Sequence, residues 1–222
     1  MPLEILEADA YYLAGQAVAI CLGNQQKQLP AVHFQICLNP CNGEQPECLP
    51  CLRKTYTSTL EGGRLIQSLP MYFAKAKNPQ FSFEQAENQY ALEADVMNLL
   101  AGPLAEAKYN AAQQGKVLNQ NALMLSTLCF YGPDSVTEPV NDYLECCFEH
   151  PAERKHKLTE LLKASFNFIN DNAIWGQVKA LAAFISSQSK TVIDCEEINF
   201  FLTSWQKSPC LSLLETQPLV CN

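Results

Sequence analysis

The chain has 222 residues, 48% hydrophobic and 17% charged, with a formal net charge of -8. That is enough apolar side chain for one substantial core and too little charge for a disordered chain. The excess of carboxylates repels a phosphate backbone unless a local basic patch overrides it. The one basic run, Arg154-Lys155-His156-Lys157, falls on helical spacing and is followed by Glu160, the pattern of a solvated helix face, so nucleic acid is not an expected partner. No basic region precedes an apolar segment at the start, and the longest apolar run, near residues 10 to 22, is short and interrupted by Gln16. A cytoplasmic protein with no signal peptide and no membrane association is expected.

In chain order, Ala10, Leu13, Ala14, Ala17, Val18 and Cys21 recur at the spacing of a helix, amphipathic or fully buried, running from Ala8 to Leu22 and stopping near Gly23 and Asn24. The segments Ala31 to Leu38 and Lys54 to Leu60 are short and rich in β-branched and aromatic residues, which predicts a small antiparallel sheet. A turn is expected at Glu61-Gly62-Gly63-Arg64 and irregular chain from Pro70 to Gln80. Helical spacing returns from Phe83 to Gln114, where Pro103 predicts a kink or break unless Gly102-Pro103 opens a new helix. Further helices are expected over Ala122 to Cys129, Glu138 to Phe148, Pro151 to Asn170, Trp175 to Ser187 and Cys195 to Gln206, with a tail over 207–222. The fold class is therefore mainly α with a small antiparallel β-hairpin or sheet, an α+β arrangement in a single domain over 1–206 with a Cys-rich hairpin insertion at 37–51.

That insertion carries Cys37, Cys41, Cys48 and Cys51, a C-x3-C pair and a C-x2-C pair separated by a turn containing Gly43 and Pro46. Four thiolates so placed can converge tetrahedrally on a structural Zn²⁺, with His33 able to replace one of them, and such a closed site has no open position for activating water. Disulfide pairing in an oxidising compartment and unliganded thiols are the alternatives. Cys21 and Cys129 sit in apolar patterns where a thiol packs as a small hydrophobe, and the adjacent Cys146 and Cys147 point in different directions. Asp142, Glu145 and Glu149 share one helix face and read first as a solvated surface. There is no phosphate-cradling glycine loop, no nucleophile elbow and no dinucleotide fingerprint.

Four segments carry a family resemblance. Tyr12-Leu13-Ala14-Gly15-Gln16-Ala17-Val18 resembles the His-Glu-Ala-Gly-His-Ala-Val motif of the peptidase domain of FtsH-type ATP-dependent zinc proteases and of stand-alone proteins similar to it. Asn98 to Ala107, reading NLLAGPLAEA, resembles that family's second signature helix, and Ser135 to Phe148 resembles the stretch supplying its third metal ligand, with Asp142 at the matching position. The segments Ile174 to Ala182 and Ile193 to Ile198 are similar to the C-terminal helix pair of the stand-alone relatives. The resemblance implies a peptidase-domain-like helical bundle in which Tyr12, Leu13, Gln16, Glu106 and Asp142 mark a degenerate ancestral site. In the intact motif two histidines hold zinc and the glutamate acts as general base on the metal-bound water. A phenol and a carboxamide are a poor zinc pair, and Leu13 cannot accept a proton. The expectation is a catalytically inactive pseudopeptidase that binds or assembles with an unidentified protein or with itself. The rival expectation is a metal-dependent hydrolase with a displaced, non-standard metal site.

Overall fold

A computed structural model describes residues 5–40, 56–66, 82–119 and 136–207. The first helix, α1 (Glu7–Val18), opens with Glu7 and Asp9 in its first turn, where carboxylates complement the exposed N–H groups. It continues through a π-helical turn, Ala19–Gly23, and a helical stub, Asn24–Gln26. Leu13, Ala14, Ala17 and Val18 are fully buried, so this helix is surrounded rather than laid on a surface. The expected stop at Gly23-Asn24 is overturned: both residues keep right-handed helical angles (φ -64°, ψ -42° and φ -67°, ψ -41°). The reason is tertiary. The Asn24 side chain is buried and its Oδ1 accepts a hydrogen bond from Asn98 Nδ2 at 3.3 Å, so the carboxamide serves packing and not a cap. The chain leaves the helix at Gln28, in the left-handed region at φ 57°.

Strands β1 (Phe34–Pro40) and β2 (Tyr56–Gly62) pair antiparallel, with Phe34 opposite Gly62, Ile36 opposite Leu60 and Leu38 opposite Ser58. Phe34, Ile36 and Leu38 alternate onto one face and are buried against the helices. A third strand, β3 (Val192–Asp194), lies on the other edge of β1 with Ile193 beside Ile36, giving the order β2-β1-β3. The sequence offers only three residues here ahead of a helical run, shorter than a strand pattern can register. Placing the fully buried Ile193 next to Ile36 supplies the driving force.

Helix α2 (Ser82–Gln113) continues through Pro103, against the expected break. Gly102 removes the Cβ that would collide with the proline ring. Leu99, Leu100, Ala101 and Leu104 are all buried around it, and that packing outweighs one lost helical hydrogen bond. Four more helices follow among the described residues: α3 (Thr137–Cys147), α4 (Pro151–Asn170), α5 (Asn172–Ser187) and α6 (Cys195–Lys207). Helix α5 starts three residues earlier than expected because the Asp171 carboxylate caps it, Oδ1 accepting from the Ile174 N–H at 3.0 Å. Asp194 Oδ1 likewise accepts from Glu197 N–H at 2.8 Å at the start of α6. Helix α1 packs along α2 and α5 and touches β2, while α4 lies on α2. No helix among the described residues is long and apolar enough to cross a membrane. The expected irregular segment at Pro70 to Gln80, the helix at Ala122 to Cys129 and residues 208–222 of the expected tail lie outside the described residues; Lys207 closes α6.

Candidate functional site

Two of the motif helices meet directly. A Cβ added to Gly15 would stand 2.4 Å from Ala105 Cβ and 2.7 Å from the Ala101 carbonyl oxygen, so α1 and α2 approach as closely as backbones can. One turn earlier, a Cβ on Gly102 would meet the Tyr12 ring at 3.1 to 3.2 Å: the phenol ring lies flat against that glycine. Tyr12 is 5% exposed and Leu13 is fully buried, so two of the three positions that would carry metal ligand and base are core. Glu106, just past the crossing on α2, is buried too.

The third position differs. Gln16 opens on a cavity of about 40 Å³, lined also by Ile20, Gly63, Arg64, Asp95 and Asn98. Asp95 was not singled out by the sequence, yet it is the carboxylate at this cavity, 1% exposed. Its Oδ1 accepts from the Leu65 N–H at 2.8 Å, and its Oδ2 accepts from the Ile66 N–H at 3.0 Å and from the Tyr143 hydroxyl at 2.9 Å. Burial pushes the Asp95 carboxyl above the usual range, while these three donors and the Arg64 charge pull it back. Burial, reinforced by the Asp95 charge, raises the Tyr143 phenol. Asp95 thus ties the chain leaving β2 to α2 and α3. Only position within an apolar pattern and the acid residue type were visible beforehand, and neither distinguishes Asp95 from a surface aspartate.

Asp142 precedes Tyr143 and lies on the exposed side of α3, whose buried face is Val140, Tyr143 and Leu144. Glu145 on the same side pairs with Arg154 at 2.8 Å, so this acidic face behaves as solvated surface. Of the proposed zinc ligands, Cys37 is buried on β1 opposite Thr59, and His33 is exposed just before that strand. Cys41, Cys48 and Cys51 lie outside the described residues. Among the described residues no three His, Cys, Asp or Glu side chains are grouped to hold a metal ion. At positions 12, 13 and 16 the donor set of phenol, alkyl and carboxamide does not fit zinc. Burial pushes the Cys21 thiol up to about 12 and the Cys147 thiol up to about 11, which keeps both protonated and poorly nucleophilic.

An aromatic cluster closes the far end of the same helices. Tyr11 stacks on Tyr109 with centroids 4.3 Å apart and meets Trp175 at 5.6 Å. Lys108 Nζ sits 4.2 Å from the Trp175 centroid and donates to the Ile169 carbonyl at 3.0 Å, near the end of α4. Burial, with the neighbouring Lys179 charge, lowers the Lys108 amine to about 8 against a smaller opposing pull from Asp171. The Tyr109 hydroxyl donates to the Glu7 carboxylate, which with burial pushes the phenol up to about 12. The residues lock α1, α2, α4 and α5 together. Comparison of the chain with protein-family models, curated proteins and solved structures finds no match.

Proposed function

We propose that this chain is a non-catalytic protein on a zinc-peptidase-like helix pair, and that it acts as a binding or assembly module in the cytoplasm. Its partner on this reading is another protein or a second copy of itself. The observation that carries the proposal is the state of positions 12 and 13: the Tyr12 ring seals against Gly102 and Leu13 is fully buried. Catalysis of this type needs a polarised water beside a general base, and these two positions supply apolar contact instead. The direct contact of the two motif helices at Gly15, Ala101 and Ala105 supports the ancestry. Gln16 alone of the three faces space, which suits a retained cleft used for recognition.

A casein-type cleavage assay on the purified chain with zinc, cobalt or manganese added tests the proposal. No cleavage above background is expected. Metal-dependent cleavage that disappears in Glu106→Gln would overturn it in favour of a displaced metal site.

A further inference from the structure

The cavity beside Gln16 shares a wall with a larger one. Leu60, Gly62, Gly63 and Arg64 line both it and an open groove of about 450 Å³, whose other walls are Ala31, Val32 and His33. Backbone fixes the junction between the two. Gly62 and Gly63 hold φ of 81° and 75°, and a Cβ would fall 2.7 Å from the His33 carbonyl oxygen at the first and 2.5 Å from Ile20 Cδ1 at the second. The Gly63 N–H donates to that same His33 carbonyl at 2.9 Å, which draws the two sides of the rim together. Any larger residue at either position would collide with this rim.

Its chemistry is that of an anion receptor with a narrow throat. Arg64 is exposed at the rim, where its charge acts on the Asp95 carboxyl, and it is not part of the pairs Arg154–Glu145, Lys157–Glu93, Lys157–Glu160 or Lys190–Glu197. The nearby Asp95 carboxylate is occupied by three donors of its own. The throat presents the carboxamides of Gln16 and Asn98 beside the Asp95 carboxylate, and Asn98 Nδ2 also donates to Asn24 Oδ1 at 3.3 Å. A volume of about 40 Å³ holds about three water-sized groups. That is the size of a carboxylate and less than the five heavy atoms of a phosphate. A planar guanidinium matches the two oxygens of a carboxylate. Outside the throat, Ala31, Val32 and Leu60 offer apolar contact to a short side chain.

We propose that this junction binds the carboxylate of a small acid or of a peptide C-terminus, with Arg64 as the charge partner, Gln16 and Asn98 as throat donors, and a short apolar body lying along Ala31, Val32 and Leu60. The inference rests on the reading of the chain as a binding protein and names its ligand chemistry. The test is a titration of the ¹⁵N-labelled full chain, followed by NMR, with N-acetyl-leucine, N-acetyl-leucinamide, isovalerate and inorganic phosphate. Both acids are expected to shift the Gly62, Gly63 and Arg64 amides saturably, with the amide and phosphate at least about tenfold weaker, as loss of a charge-assisted pair implies. Arg64→Gln is expected to weaken the acids about tenfold and leave the amide unchanged, with the variant still folded as read by its dispersed amide spectrum. Tighter binding of N-acetyl-leucine than of isovalerate identifies a peptide terminus as the source; the reverse identifies a free acid. Equal affinity for acid and amide, indifference to Arg64→Gln, or no saturable shift at about 10 mM acid, where even weak specific sites fill, overturns the inference. A failure here without peptidase activity leaves the non-catalytic reading standing, whereas cleavage of casein removes that reading separately.

Discussion

Gly15 has no room for a single methyl group: its missing Cβ would lie 2.4 Å from Ala105 Cβ. Gly15→Ala must push α1 from α2 and is expected to cost about 1–3 kcal/mol by overpacking, read as a lower midpoint in urea at unchanged slope. Asp95→Asn replaces an acceptor of three hydrogen bonds by a group with its own N–H₂ pointing at donors; a loss of about 1–3 kcal/mol is expected. Asp142→Asn, on the exposed side of α3, should stay within about 0.5 kcal/mol of the parent chain, and equality of the two variants would contradict the roles assigned to them. At the aromatic cluster the sign of a pH effect follows from Lys108. Its folded value near 8 lies below the ordinary 10.5, so between those values the unfolded chain holds more protons and stability rises with pH. The cost of burying the cation is fully present below pH 8. Thermal melts of the parent chain should therefore gain more between pH 7.5 and 9 than melts of Lys108→Met, and parallel curves would exclude this contribution.

At the scale of elements, a helix was legible wherever apolar spacing ran long enough to outvote local signals. Pro151–Asn170 matches its expected bounds because Pro151 suits a first helical turn and no competing contact intrudes. The misplaced boundaries have local causes in side chains that tertiary structure recruits. Asn24, a good stopping residue, is drawn inward by Asn98; Gly102 makes Pro103 tolerable; Asp171 caps α5 before its first apolar residue. The last of these was readable, since Asp171 followed by helix formers is an N-cap pattern. Asp171→Ala should accordingly cost about 1 kcal/mol, seen as a lower melting temperature; no change would remove the cap from the account. Strand β3 was not readable at all, because three residues carry no period and its pairing with β1 joins residues 35–37 to 192–194.

For the molecule as a whole, the candidate site was half legible. Helix α1 and the α2 segment resembling the second signature could be found as segments; that they touch at Gly15, Gly102 and Ala105 could not. Which acid reaches Gln16 could not be found, because it depends on the path of residues 63–66, whose N–H groups Asp95 gathers. Phe200 is 76% exposed on α6, beside Phe201, which stacks on Phe184. On the proposed reading, positions 12, 13 and 16 of α1 hold no metal, and any zinc belongs to the cysteines of 37–51. The most direct measurement is the zinc content, by mass spectrometry, of the folded chain carrying Cys37→Ser, Cys41→Ser, Cys48→Ser and Cys51→Ser. The expected result is a variant free of zinc; zinc that stays bound to it and is released by the further change Gln16→Leu would contradict the claim.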